Sequence, residues 1–173
     1  KKEFTKEIYV LNNLKHKNII KIIGPQISNI KLKNIQNLKY SQFHEKYTYG
    51  NIFALEYIKN GDLFELLQKK NSKIKKKYKH INSIYHPLPF NEQKIKIIIL
   101  QVINALIYAD NKNISHRDIK LENICISNDG CVKIIDWGFA MLDNKQMTNK
   151  SVGTLGYMAP ELLCKKYYKA HKA

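Results

Sequence analysis

Arginine is almost absent. Of the 30 lysines plus arginines in this 173-residue chain, Arg117 alone is arginine. Where lysine is the default cation, a planar five-donor guanidinium kept at one place marks that place for gripping carboxylate or phosphate. Acid is scarce too: 14 Asp plus Glu leave a formal charge of +16. Such a charge suits nucleic acid or an anionic membrane. Here it is lysine scattered among Asn and Ile, without clustered arginines and aromatics, so no specific nucleic-acid partner is expected. Three cysteines, Cys125, Cys131 and Cys164, with no CxxC, speak against a disulfide framework and a thiolate metal site. They fit a reducing compartment, cytoplasmic or nuclear. Apolar runs such as IIIL at 97–100 fall far below the ~18 residues of a membrane span, and no signal segment opens the chain. None of the seven glycines forms GxGxxG. What is present is 44% apolar, enough for the core of one domain or parts of two small lobes.

Residues 3–15, EFTKEIYVLNNLK, place Phe4, Ile8, Leu11 and Leu14 on one stripe at helical period. NIIKIIG at 18–24 reads as a short strand stopped by Gly24-Pro25, 25–49 as a polar connection, and NIFALEYI at 51–58 as a second strand. Asn60-Gly61 is a turn, after which DLFELLQ opens a short helix with Asp62 as N-cap. KKNSKIKKKYK at 69–79 carries seven lysines in eleven residues and reads as a solvated loop, the start of an insertion over 69–89. Pro87 and Pro89 then precede a long helix over 91–109, its expected apolar face running through Ile95, Ile98, Ile99, Val102, Ile103 and Leu106. NICIS and CVKIID, joined by Asn128-Asp129-Gly130, predict a hairpin whose Gly takes a positive φ.

Between that helix and the hairpin stands HRDIKLEN, 116–123, where one Arg, one Lys, two acids and an Asn crowd against the apolar ICI. Such charges are either used or hidden. His116-Arg117-Asp118, then Lys120 and Asn123, then Asp136-Trp137-Gly138, then Ala159-Pro160-Glu161 follow in order, with 18 residues from Asp118 to Asp136 and 25 from Asp136 to Glu161. This series resembles the catalytic loop, metal loop and closing signature of the eukaryotic protein kinases, serine/threonine type. The resemblance spans essentially the whole chain. It implies an α+β, two-lobed protein-kinase-like fold truncated at both ends, with a partial small lobe over 1–58 and a partial large lobe over 59–173.

It also implies ATP and Mg²⁺ as cofactors, and ATP and protein substrates as partners. Asp118 becomes the acceptor of the substrate hydroxyl's proton, Lys120 the cation on the transferring phosphoryl, and Asn123 and Asp136 oxygen ligands of Mg²⁺. Glu7 falls where the family's helix carries a Glu that pairs with a strand lysine, an exposed helical Glu being the alternative. Leu55, Glu56, Tyr57 and Ile58 resemble the gatekeeper and hinge that read adenine. Asp62 matches the ribose contact, in competition with its N-cap role. Glu122, Cys125 and Ile135 join the nucleotide-side set, the last two being ordinary hairpin core on the alternative reading. Trp137 stands where Phe is usual and is expected to pack as a larger plug. Thr154 of GTLGY resembles the Thr that ties the catalytic Asp to the Lys. Arg117 implies a phosphate on 143–151, where Thr148 and Ser151 are the hydroxyl residues; Lys150 occupies the position that many relatives give to a phosphorylated Thr.

The Gly-rich loop and its strand lysine are expected upstream of Lys1, and supporting helices beyond Ala173. The 173 residues alone are therefore expected not to turn over. A kinase-like binding module without turnover remains the alternative.

Overall fold

The computed structural model of the chain describes residues 2–24, 27–31, 49–77, 90–164 and 166–172. They group into two compact units, one of 1–20 with 57–173 and one of 21–56. Architecture is α+β, with helices and two-stranded antiparallel sheets.

In the larger unit, α1 (Lys2–Asn13) forms where the apolar stripe was expected. Described from Ile8 onward, that stripe buries Leu11 and Leu14 and adds Val10. The chain behind the helix docks on the hairpin: Ile134 N–H bonds the Asn18 carbonyl at 2.9 Å, and Ile20 N–H bonds the Ile134 carbonyl at 3.0 Å. The expected strand at 18–24 is therefore not one. Ile19 makes an isolated bridge to Ile134, and Ile22, in the smaller unit, an isolated bridge to Leu55. Each stretch changes partner too soon for a ladder to grow.

The smaller unit holds β1 (Ile27–Lys31) paired with β2 (Tyr49–Ile52), Ile27 opposite Ile52 and Lys31 opposite Tyr49. So part of the expected polar connection is strand, and the expected strand at 51–58 stops at Ile52. The rest of that connection, 25–26 and 32–48, lies outside the described residues.

Asp62 caps α2 (Leu63–Lys77), its Oδ1 accepting from Glu65 N–H at 2.8 Å. The lysine-dense run to Lys77 is helix, not loop. Lysine is a good helix former once it is solvated, and Lys69 pairs with Glu65 one turn back at 2.9 Å. Residues 78–89, the remainder of the expected insertion with Pro87 and Pro89, lie outside the described residues.

Helix α3 (Glu92–Asp110) is capped by Asn91, whose Oδ1 accepts from Lys94 N–H at 2.9 Å. Its buried residues are Ile98, Val102, Ala105 and Ala109, while Ile99 and Ile103, expected inward, are exposed. The small alanines explain the choice, because they let α3 pack closely on its sheet neighbours. Gln101 fastens it there: its Oε1 accepts from Val132 N–H at 3.0 Å and from Asn18 Nδ2 at 2.8 Å.

Beyond α3, β3 (Ile114–Ser115) pairs with β6 (Met141–Leu142), enclosing the hairpin of β4 (Ile124–Ile126) and β5 (Val132–Ile134). Gly130 takes φ +82° in the hairpin turn, as expected. Two loops, β3 to β4 and β5 to β6, thus emerge from one braced unit. The chain then runs through β7 (Met147–Thr148) and α4 (Pro160–Leu163) to β8 (Tyr168–Lys169), which pairs back on β7.

Candidate active site

The β3–β4 loop turns through Arg117 at φ +68°, a left-handed conformation that non-glycine residues adopt only when their surroundings enforce it. His116 supplies part of that force. Its Nε2 lies 2.9 Å from the Ile135 carbonyl and its Nδ1 accepts from Asp118 N–H at 3.2 Å. One ring nitrogen must donate and the other accept, so the imidazole is neutral, with the proton on Nε2. Burial agrees, holding its pKa below the usual histidine value. Trp137 meets the ring edge-on at 4.7 Å and is wholly buried, the packing role expected for it. The two loops are locked through one imidazole.

On this frame Asp118 is 3% exposed. Thr154 donates its hydroxyl to Oδ1 at 2.8 Å, Lys120 Nζ lies 3.2 Å from Oδ2, and Asn123 Nδ2 donates to Oδ2 at 3.0 Å. Lys120 Nζ also donates to Thr154 Oγ1 at 2.8 Å, closing a triangle. Burial alone would push the Asp118 pKa up; the bonds from Thr154, Lys120 and Asn123 outweigh it and hold the carboxyl below its usual range. The group stays ionised yet is shielded from water. Such a carboxylate can receive a proton from a hydroxyl brought to it.

Gly153 lets Thr154 approach. A Cβ there would stand 2.7 Å from the Arg117 carbonyl oxygen, and its φ is +118°. The same residues open onto a cavity of about 130 Å³ lined by Asp118, Gly153, Thr154, Met158, Leu162 and Tyr168. A larger cavity, about 590 Å³, opens at the N-terminus of α3 and contains none of the expected site residues.

Asp136, across the hairpin, is exposed and lies at φ +55°, with Oδ1 accepting from Gly138 N–H at 3.3 Å. Ile135 N–H bonds the Asn123 carbonyl at 2.9 Å, which ties its neighbour Asp136 to Asn123. Asn123 spends Nδ2 on the Asp118 carbonyl and carboxylate, so its amide oxygen turns the other way. Two hard oxygens from two loops are the donor type that suits Mg²⁺. Glu7 comes to the same loop: it accepts from Trp137 N–H, while burial first and the Asp136 charge second raise its carboxyl pKa.

The remaining expected residues are more dispersed. Asp62 bridges to Cys125 while it caps α2. Cys125 is buried and its thiol pKa is pushed up to about 11, by burial and then by Asp62 and Glu65. Ile135 joins through its backbone. Glu122 has a buried Oε2 without a hydrogen-bond partner. Ile58 accepts from Gly61 N–H, and Glu56, in the smaller unit, accepts from Lys21 N–H at 2.9 Å. Arg117 donates Nε–H to the Phe139 carbonyl at 2.8 Å. Thr148 is buried in β7, and Ser151 donates to the Leu162 carbonyl at 2.6 Å. The bracing by His116, Gly153, Asn144 and Tyr168 was not anticipated; of these His116, inside HRDIKLEN, and Gly153, just ahead of Thr154, carried a local signal.

Comparison with known proteins gives the same outline. A model of the protein kinase domain matches residues 1–173. The Aurora kinase of Saccharomyces cerevisiae is 30% identical over 169 residues, 96% of this chain and 36% of that protein. The Aurora kinase of Encephalitozoon cuniculi is 30% identical over 163 residues, 94% of this chain and 47% of that protein. Calcium-dependent protein kinase 6 of Plasmodium berghei is 43% identical over 91 residues, 50% of this chain and 6% of that protein. The chain thus spans less than half the length of these relatives, and it belongs to the protein kinase domain family.

Proposed function

We propose that the protein is an ATP-dependent serine/threonine kinase, transferring the γ-phosphoryl group of ATP to Ser or Thr hydroxyls of intracellular proteins. The triangle of Asp118, Lys120 and Thr154 carries this reading. Asp118 is an ionised, dehydrated acceptor, and such a group takes a proton from a hydroxyl within hydrogen-bond reach. Lys120 lies beside it as a compact cation for a phosphoryl group arriving at the same oxygen, positioning and charge neutralisation being most of what this reaction asks of a protein. Asn123 and Asp136 would hold Mg²⁺, which when bound neutralises phosphate charge and orients the leaving group. Glu7, Asp62, Glu122, Cys125 and Ile135 lie on the surrounding elements and are assigned to the nucleotide side, Cys125 and Ile135 through the apolar hairpin wall.

The hydroxyl type follows from the depth of Asp118. Thr154 and Lys120 crowd its carboxylate from the substrate side, so a short side chain reaches it and a phenol ring overshoots. Phosphoamino-acid analysis of substrate treated with the full-length protein should give phosphoserine or phosphothreonine. Phosphotyrosine as the main product would overturn the specificity, and no transfer at all would overturn the kinase reading. Among the described residues no helix is long and apolar enough to cross a membrane.

A further inference from the structure

The segment after Asp136 is tied at many points, and none of the ties needs a modified residue. At its start, the lone arginine reaches a neutral carbonyl: Arg117 Nε–H donates to Phe139 O at 2.8 Å, and Nη1 lies 3.9 Å from Met141 Sδ. In its middle, Asn144 is fully buried; its N–H bonds the Asn113 carbonyl at 3.1 Å and its Nδ2 the Asp110 carboxylate at 2.7 Å. His171 Nδ1 stands 3.1 Å from the Asn144 carbonyl. At its end, β7 pairs with β8, Ser151 donates to Leu162 O, and the Tyr168 hydroxyl donates to Lys150 O at 2.6 Å.

Thr148 and Ser151 are the hydroxyl residues of 143–151, and both are engaged. Thr148 is 9% exposed, sits in the β7–β8 ladder and accepts from Lys150 N–H at 3.2 Å. A phosphoryl group there would have to pull the residue out of the pairing. On Ser151 it would remove the donor that holds Leu162.

Resting on the kinase reading above, we propose that this segment is ordered without a phosphate, and that Tyr168 is the positioning residue that replaces it. The phenol is 5% exposed and packed in one cluster with Leu162 and Ala170. Its ring walls the cavity shared by Asp118 and Thr154, while its hydroxyl holds the backbone four residues before Thr154. One side chain therefore links the strand pair to the cavity at Asp118, where on the kinase reading a peptide would lie. An activating phosphate orders a loop by one to three charge-assisted bonds. Here the ties come instead from backbone carbonyls, the Asp110 carboxylate, the Ser151 hydroxyl and a phenol, which no phosphatase removes.

The test uses the full-length protein, assayed with a Ser/Thr peptide before and after a broad-specificity phosphatase, with 143–151 read by mass spectrometry. Unchanged turnover with an unmodified segment is expected. Tyr168→Phe should raise the peptide KM about fivefold, the worth of one ordinary hydrogen bond, leaving kcat and the KM for ATP in place. Phosphate on 143–151 whose removal abolishes turnover overturns the proposal. So does a Tyr168→Phe protein whose peptide KM is unchanged, or whose KM values for peptide and ATP rise together. If that variant fails to fold, the phosphatase arm still decides. A protein without turnover before treatment takes down the kinase reading itself, a result distinct from turnover lost on treatment.

Discussion

Asp118 and Asp136 flank one hairpin at its open end, where Ile124 pairs with Ile134, and the protein treats them in opposite ways. Asp118 is buried and receives bonds from a hydroxyl, an ammonium and an amide. Asp136 is exposed, and among the described residues its hydrogen bond is one long contact to Gly138 N–H. On the function proposed above, Asp118 is the base and Asp136 a metal ligand. A base must be fixed before the substrate arrives, because reorienting it during the reaction adds to the barrier. A ligand for a divalent cation needs only to be presented, since the ion completes the order when it binds. Preorganisation is therefore concentrated on the β3–β4 loop, and His116 passes it to the β5–β6 loop by holding Ile135 rather than Asp136.

The contrast breaks most severely at the base. Asp118→Asn in the full-length protein should lower kcat by about 10²–10⁴-fold, the contribution of one well-placed proton acceptor. It should also destabilise by about 1–3 kcal/mol, because an amide cannot accept from the hydroxyl, the ammonium and the Asn123 amide together. Turnover near wild type would show that the proton goes elsewhere. Gly153→Ala attacks the same loop from outside. Its Cβ meets the Arg117 carbonyl at 2.7 Å in a left-handed region, so about 1–3 kcal/mol of strain should appear as a lowered melting temperature together with reduced turnover. A variant that melts and turns over like the wild type would deny the close approach.

Asp136→Asn sharpens the comparison from the other side. Asn tolerates φ +55° as Asp does, and the position is exposed, so stability should move by no more than about 0.5 kcal/mol. The Mg²⁺ concentration for half-maximal turnover should rise by roughly tenfold or more, a neutral oxygen having replaced a charged one on a hard cation. If melting temperature falls as far as in Asp118→Asn, the two carboxylates are not differently supported.

The parts legible in the sequence are those with dense local signals. The placing of HRDIKLEN between a helical and a strand-type pattern and the Asp-Gly turn needed only spacing and turn chemistry, whereas the roles within HRDIKLEN and that of Thr154 came from the resemblance to the protein kinases. The lysine run of α2 misled because charge density suggests solvation, and a solvated helix is solvated too. On α3 the apolar positions cover most of the circumference, so periodicity cannot choose a face. The hairpin chose the face with Ala105 and Ala109. β3, β6, β7 and β8 are each two residues long, too short for alternation to register. Tyr168 and Asn144 act through contacts with backbone distant in sequence, and nothing beside them in the chain announces it.

The smallest effect concerns the field acting on Asp136. Burial first, and the Asp136 charge second, raise the Glu7 pKa above 4.5, opposed by the Trp137 N–H that its carboxylate accepts and by Lys6. A carboxyl whose folded-state pKa exceeds its unfolded value contributes stability that is fully present below the unfolded pKa and is lost as pH rises through the folded one. Above its raised pKa the ionised Glu7 is therefore a net cost in this chain. Glu7→Gln keeps an oxygen for Trp137 N–H and removes the charge facing Asp136. It should melt slightly higher than the wild type at pH 7, by on the order of 0.5 kcal/mol, with the difference shrinking toward pH 4 as the wild-type carboxyl takes up its proton. Thermal melts of both proteins at the two pH values decide the sign. A Gln variant less stable at pH 7 would mean that the Glu7 charge has a cationic partner strong enough to reverse the cost, and that the loop bearing Asp136 is electrostatically supported after all.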